Sequence, residues 1–164
     1  MLAAFSIAAQ CGGLAASARA ESATPTPAAS PAPEFAVRAL DGKWVRMSEL
    51  RGHPVVLDFW ATWCAPCKSS MPHMSAIQSR YRNRGLVVVG FSMDDADPQT
   101  VRRFADRLGL TFRVALADDQ VLDAYGPIRA LPTTIFIDRR GQIVRRVVGF
   151  LDAETIEGYV RELF

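Results

Sequence analysis

The chain has 164 residues, enough for one domain with a substantial core, and its 49% apolar and 22% charged content is that of an ordinary globular protein. With 19 basic and 17 acidic residues, the net charge of +2 is too balanced for a nucleic-acid surface, and no nucleic-acid partner is expected. Three cysteines are too few for a disulfide framework, which leaves redox or metal chemistry for a close pair.

Leu2 to Ala18 is small and apolar and ends in Ala18-Arg19-Ala20, a small-x-small site for signal peptidase before Glu21. Residues 1–20 therefore read as a signal peptide or an N-terminal membrane anchor. Cys11 adds lipid attachment as a further reading, although Gln10 before it suits that signal poorly. Each reading exports the remainder, so a periplasmic location is expected. Residues 21–33 alternate Ala, Ser, Thr and Pro and read as an extended tether, with the folded domain at 34–164.

Phe35–Leu40 and Lys43–Met47 flank Asp41-Gly42, the signature of a β-hairpin, and Ser48–Gly52 reads as a turn or one helical turn. Pro54–Trp60 is apolar on both faces, which marks a central strand. A helix follows from about Ala65 to Arg82, with Met71, Met74, Ile77 and Tyr81 on one side and Pro72 expected to kink it. Leu86–Phe91 reads as a second buried strand. Asp97-Pro98 then opens a helix that Gly109 closes. Thr111–Leu116 reads as a short strand and Asp119–Tyr125 as a short helix. Thr133–Asp138 and Gln142–Val148 form a second hairpin about Arg140-Gly141, and Asp152 caps a last helix. The order predicts an α/β domain: a mixed central sheet with helices on both faces.

The chemistry concentrates in Trp63-Cys64-Ala65-Pro66-Cys67. Two cysteines so spaced can close a small disulfide ring, and a helix beginning near Ala65 lends its partial positive charge to a thiolate at Cys64. Pro66 falls where a first-turn proline is tolerated. The pattern implies thiol–disulfide exchange. A structural zinc site would need a second ligand pair; only His53 and His73 are at hand, so no metal or other cofactor is called for. A peroxidase would need an isolated reactive cysteine. Asp58 interrupts the apolar strand with a carboxylate that burial should make more basic, a candidate proton acceptor for Cys67. Leu131-Pro132 opens a later strand; a cis bond there would free the Leu131 backbone to pair with an extended substrate. Asp94-Asp95-Ala96-Asp97 lacks the spacing of a calcium loop and reads as a solvated turn ending in a helix cap.

Over residues 34–164 the chain resembles the thioredoxin superfamily, and within it the secreted TlpA/ResA-type reductases. The resemblance rests on Asp58-Phe59-Trp60-Ala61-Thr62-Trp63-Cys64-Ala65-Pro66-Cys67-Lys68, on Pro72, on Leu131-Pro132-Thr133-Thr134, and on the opening hairpin. It implies a thioredoxin-like fold with an added N-terminal hairpin. Cys64 would then be the nucleophile, Cys67 the resolving thiol of a redox disulfide, and Pro132 a cis-proline facing them. It implies too that Trp63, Pro66, Leu131, Pro132 and Thr133 form the substrate-binding surface. The branch usually carries Glu at the position of Ser70, so Asp58 is expected to take over its acid–base role. By the same resemblance, the substrates are oxidised protein thiols such as apocytochrome c, and a membrane thiol-reducing electron donor restores the pair. A monomer is expected. The alternative is a metal-binding or metallochaperone module on the same fold.

Overall fold

The computed structural model describes residues 30–164, and the expected leader, with the first part of the tether, lies outside the described residues. The strands are β1 (Ser30–Pro31), β2 (Ala36–Arg38), β3 (Trp44–Arg46), β4 (Val55–Trp60), β5 (Val87–Ser92), β6 (Arg113–Leu116), β7 (Thr133–Ile137) and β8 (Gln142–Val148). The helices are α1 (Met47–Leu50), α2 (Ala65–Tyr81), α3 (Pro98–Arg107), α4 (Asp119–Tyr125) and α5 (Ala153–Arg161). The six-stranded sheet runs β1-β8-β7-β4-β5-β6, while β2 and β3 pair with each other. The β4–β5 and β5–β6 pairs are parallel; β4–β7, β7–β8 and β8–β1 are antiparallel.

All six residues of β4 are buried, as a strand hydrogen-bonded on both edges and covered on both faces must be. Its alternation divides the core. Val56 and Trp60 face a cluster shared with Met71, Met74 and Ile77 of α2, Val101 of α3, and Ile156 and Val160 of α5. Val55, Leu57 and Phe59 face Val37 and Val45 of the hairpin, Leu50 of α1, and Val121 and Tyr125 of α4. The hairpin is fastened to the β6 edge by the Ala39–Ala115 bridge and by the Leu40 N–H, which donates to the Val114 carbonyl at 2.7 Å.

Local signals set the helix starts. Asp97, Asp118 and Asp152 each accept an N–H three residues ahead, from Thr100, Val121 and Thr155. The α2 helix continues through Pro72 as one 17-residue element. One boundary differs from expectation. Residues 30–33, assigned to the tether, belong to the fold: Ser30 pairs with Ile143 and Pro31 with Gln142, Ala32 is buried, and the Pro33 carbonyl accepts the Tyr125 hydroxyl at 2.7 Å. A two-residue edge strand ending in proline has neither alternation nor length to announce it.

Candidate active site

β4 ends at Trp60, and the chain turns at once: the Cys64 N–H donates to the Ala61 carbonyl at 3.1 Å. Cys64 is then the N-cap of α2 in extended conformation, and its Sγ accepts the Cys67 N–H at 3.3 Å. A sulfur in the N-cap position takes the place of the usual hydroxyl or carboxylate, facing the helix's free amides. Pro66 fills the first turn, where its missing N–H leaves no bond unmade. Cys64 and Cys67 are joined by a disulfide with Cα atoms 5.3 Å apart, and both are buried. Trp63, beside them, is 69% exposed.

The antiparallel register sets Thr133 opposite Phe59, which brings Leu131-Pro132 to the same end of the sheet as the Ala61–Cys64 turn. The Leu131–Pro132 bond, left open by the sequence, is cis, as is Gly126–Pro127. The Thr133 hydroxyl donates to the Ala130 carbonyl at 2.7 Å, and the Gly149 N–H to the Pro132 carbonyl at 2.8 Å. That second bond carries Val148 and Phe150, 61% and 50% exposed, to this end of the molecule. Their place beside Pro132 was not legible from the sequence, where they read as the end of a strand and a loop.

Asp58 lies between Gly90 and Thr134 in the register of its two neighbours, on the β4 face shared by Val56 and Trp60 and covered by α2. Its Oδ1 accepts the Thr134 hydroxyl at 2.9 Å; its Oδ2 is buried and has no hydrogen-bond partner among the described residues. Burial pushes this carboxyl from an ordinary 3.8 up to about 7, against the smaller opposite pull of the Thr134 bond. The neighbouring strand supplies no cation, as its apolar sequence indicated. Ser70 is buried and donates to the Cys67 carbonyl at 3.1 Å, so this part of α2 brings no carboxylate to the site.

The acidic loop after β5 differs from its expected role in one residue. Asp95 and Asp97 are exposed, and Asp97 is the α3 cap, but Asp94 turns inward. It accepts the N–H and the hydroxyl of Thr62 and the hydroxyl of Ser92. The sequence carries no signal for which of these acidic side chains turns inward.

Of the two histidines, His53 has its Nδ1 3.1 Å from the Gly85 carbonyl, in a loop at the other end of β4 from the cysteines. Among the described residues, no group of three or more His, Cys, Asp or Glu is placed to hold a metal ion.

A cysteine pair at the mouth of a helix, at the end of the central strand of a mixed sheet, defines a thiol–disulfide oxidoreductase on a thioredoxin-like sheet. The chain belongs to the AhpC/TSA family, whose model matches residues 28–146. It is 35% identical over 133 residues to the thiol-disulfide oxidoreductase ResA of Bacillus thuringiensis (strain Al Hakam), covering 80% of this chain and 76% of that one. Among solved structures, it is similar to a thioredoxin-family thiol:disulfide interchange protein from Chlorobium tepidum TLS. That match has a TM-score of 0.78 and 28% identity, over 83% of this chain and 97% of the other. A protein from Chlorobium tepidum assigned as the thiol:disulfide interchange protein DsbE matches with a TM-score of 0.74 and 33% identity, over 82% and 96% of the two chains.

Proposed function

We propose that this oxidoreductase works as a reductase of protein disulfides outside the cytoplasm, with Cys64 as nucleophile, Cys67 as resolving thiol and Asp58 as proton acceptor. The observation that carries the reading is the Cys64 Sγ seated at the N-terminus of α2, where the Cys67 N–H donates to it. A thiolate there is stabilised relative to its thiol. In the reduced protein, Cys64 thiolate attacks one sulfur of a substrate disulfide; a Cys64–substrate bond forms and the other substrate sulfur leaves as thiolate. Cys67 gives its proton to Asp58 and attacks Cys64 Sγ. The second substrate sulfur departs, the Cys64–Cys67 disulfide closes, and two electrons have passed to the substrate.

Asp58 suits the middle step because it lies under α2 and its proton affinity, raised to about 7, lies near working pH. Exposed Trp63 and Pro66 and half-buried Leu131 provide the substrate-facing surface around the sulfur, whereas Pro132 and Thr133, expected there too, are buried and can only shape it from beneath, Thr133 through its bond to the Ala130 carbonyl. Support for export comes from the apolar leader and its Ala18-Arg19-Ala20 site. Among the described residues, no helix is long and apolar enough to cross a membrane. In an oxidising compartment the pair needs a membrane-borne thiol donor for each turnover, and exported protein thiols, those of apocytochrome c included, are the substrates this arrangement would serve. No observation favours the metallochaperone alternative.

The test separates the half-reactions. Cys64→Ser should abolish disulfide reduction, whereas Cys67→Ser should accumulate a mixed disulfide with substrate. Asp58→Asn should slow release of that species while leaving Cys64 attack near the wild-type rate. Normal turnover by Cys67→Ser would overturn the assignment of roles. A pair potential near about −270 mV supports reduction, and one near about −120 mV would make the protein an oxidant.

A further inference from the structure

The loop that follows β5 grips the turn that carries Cys64. The Met93 N–H donates to the Trp60 carbonyl at 2.7 Å, which sets the two loops side by side. Asp94 then turns its carboxylate onto Thr62. Its Oδ1 accepts the Thr62 hydroxyl at 2.6 Å, and its Oδ2 accepts the Thr62 N–H at 2.9 Å and the Ser92 hydroxyl at 2.6 Å. The backbone N–H of Asp94 returns a bond to the Ser92 oxygen at 3.2 Å. One half-buried carboxylate therefore answers three donors, two of them on a residue that lies inside the Ala61–Cys64 turn. The turn's own bond uses the Cys64 N–H and the Ala61 carbonyl, so the partner of the Thr62 N–H comes from outside it.

We propose that Asp94 is a positioning residue of the redox centre: by holding Thr62 it fixes the Ala61–Cys64 turn and seats Cys64 Sγ against the amides that open α2. The inference rests on the reading of Cys64 as nucleophile. Thiolate stabilisation by a helix terminus falls off within a single turn, so a loosened Cys64 loses it quickly. The sign separates this role from a plain charge effect. A carboxylate that acted only as a nearby negative charge would disfavour the thiolate, and its removal would make Cys64 more acidic. Loss of a positioning carboxylate does the reverse.

Alkylation of Cys64 in the reduced full chain, followed by site-resolved mass spectrometry across a pH series, tests this. Asp94→Ala should raise the pH midpoint by about half a unit or more and slow attack on a model disulfide by about tenfold or more. Asp94→Asn should recover most of both, since its amide oxygen can still accept the Thr62 N–H while its NH2 donates to a hydroxyl. Asp95→Ala, exposed one residue further on, should behave as wild type. An unmoved or lowered midpoint in Asp94→Ala overturns the proposal, even if the melting temperature falls. Should Asp94→Ala fail to fold, Ser92→Ala removes one of the carboxylate's own anchors: a raised midpoint supports the role, and an unmoved one overturns it. A wild-type chain whose Cys64 resists alkylation would refute the nucleophile assignment and this inference together. A normal wild-type profile beside an unmoved Asp94→Ala profile refutes only the latter.

Discussion

At the scale of single residues, Asp58 dominates the electrostatics of the site. A carboxyl moved from 3.8 to about 7 by burial binds its proton more tightly in the folded chain than in the unfolded one. At about 1.4 kcal/mol per unit, the charged form costs the fold on the order of 4 kcal/mol. The sign follows from linkage. The contribution is fully present below pH 4, where both states are protonated, and is lost as pH rises through about 7, where the folded state must give up the proton. Asp97 and Asp152 are held below the usual carboxylate range by the Thr100 hydroxyl and the Thr155 N–H, so they titrate outside this window. In the oxidised protein, the melting-temperature advantage of Asp58→Asn over wild type should therefore be smallest near pH 4, widen steadily up to about pH 7 and level off above it. A gap that stayed constant over that range would sink the account. Asp58 was legible in the sequence as a carboxylate misplaced on an apolar strand. Asp94 was not, because nothing in an acidic loop says which of its side chains turns inward.

Among the elements, β4 and β5 set the tolerance of the site. Gly90 lies opposite Asp58 in the parallel register, and a Cβ there would come within 2.8 Å of the Phe112 ring and 2.9 Å of Trp60 Nε1. The glycine leaves the space that the Trp60 indole occupies between the sheet and Phe104, whose ring stacks on it at 5.6 Å between centroids. Gly90→Ala should thus destabilise the protein by about 1–3 kcal/mol through overpacking, read as a lower urea midpoint at unchanged slope. Stability equal to wild type would show that Phe112 gives way freely. Most element types were readable because their signals are local: periodicity, an Asp cap, a proline in the first turn. The β1 strand escaped because its structure comes from pairing with β8, and its own Ser-Pro dipeptide carries no pattern.

For the whole molecule, that short strand decides where the domain begins. Its removal would uncover one edge of β8, expose ground around Ala32 and strip the Tyr125 hydroxyl of the Pro33 carbonyl. A chain starting at Glu34 should be less stable by about 1–3 kcal/mol, the scale of one unpaired buried hydroxyl plus a little apolar area. A chain starting at Glu21 should keep full redox activity in solution. Equal melting temperatures for the two would show that residues 30–33 add nothing to the fold.

The sequence by itself determined the Cys64–Cys67 pair, its seat at a helix start, the central strand with its stray carboxylate, and the mixed sheet with helices on both faces. These features are encoded by neighbours a few residues apart, where spacing, caps and alternation act directly on the backbone. Only the tertiary structure decided the cis state of Leu131–Pro132, the exposure of Val148 and Phe150 beside it, the joining of Ser30–Pro31 to β8, and the grip of Asp94 on Thr62. Each of these depends on which strands become neighbours and in what register. Register is fixed by burial of whole faces, summed over residues far apart in the chain.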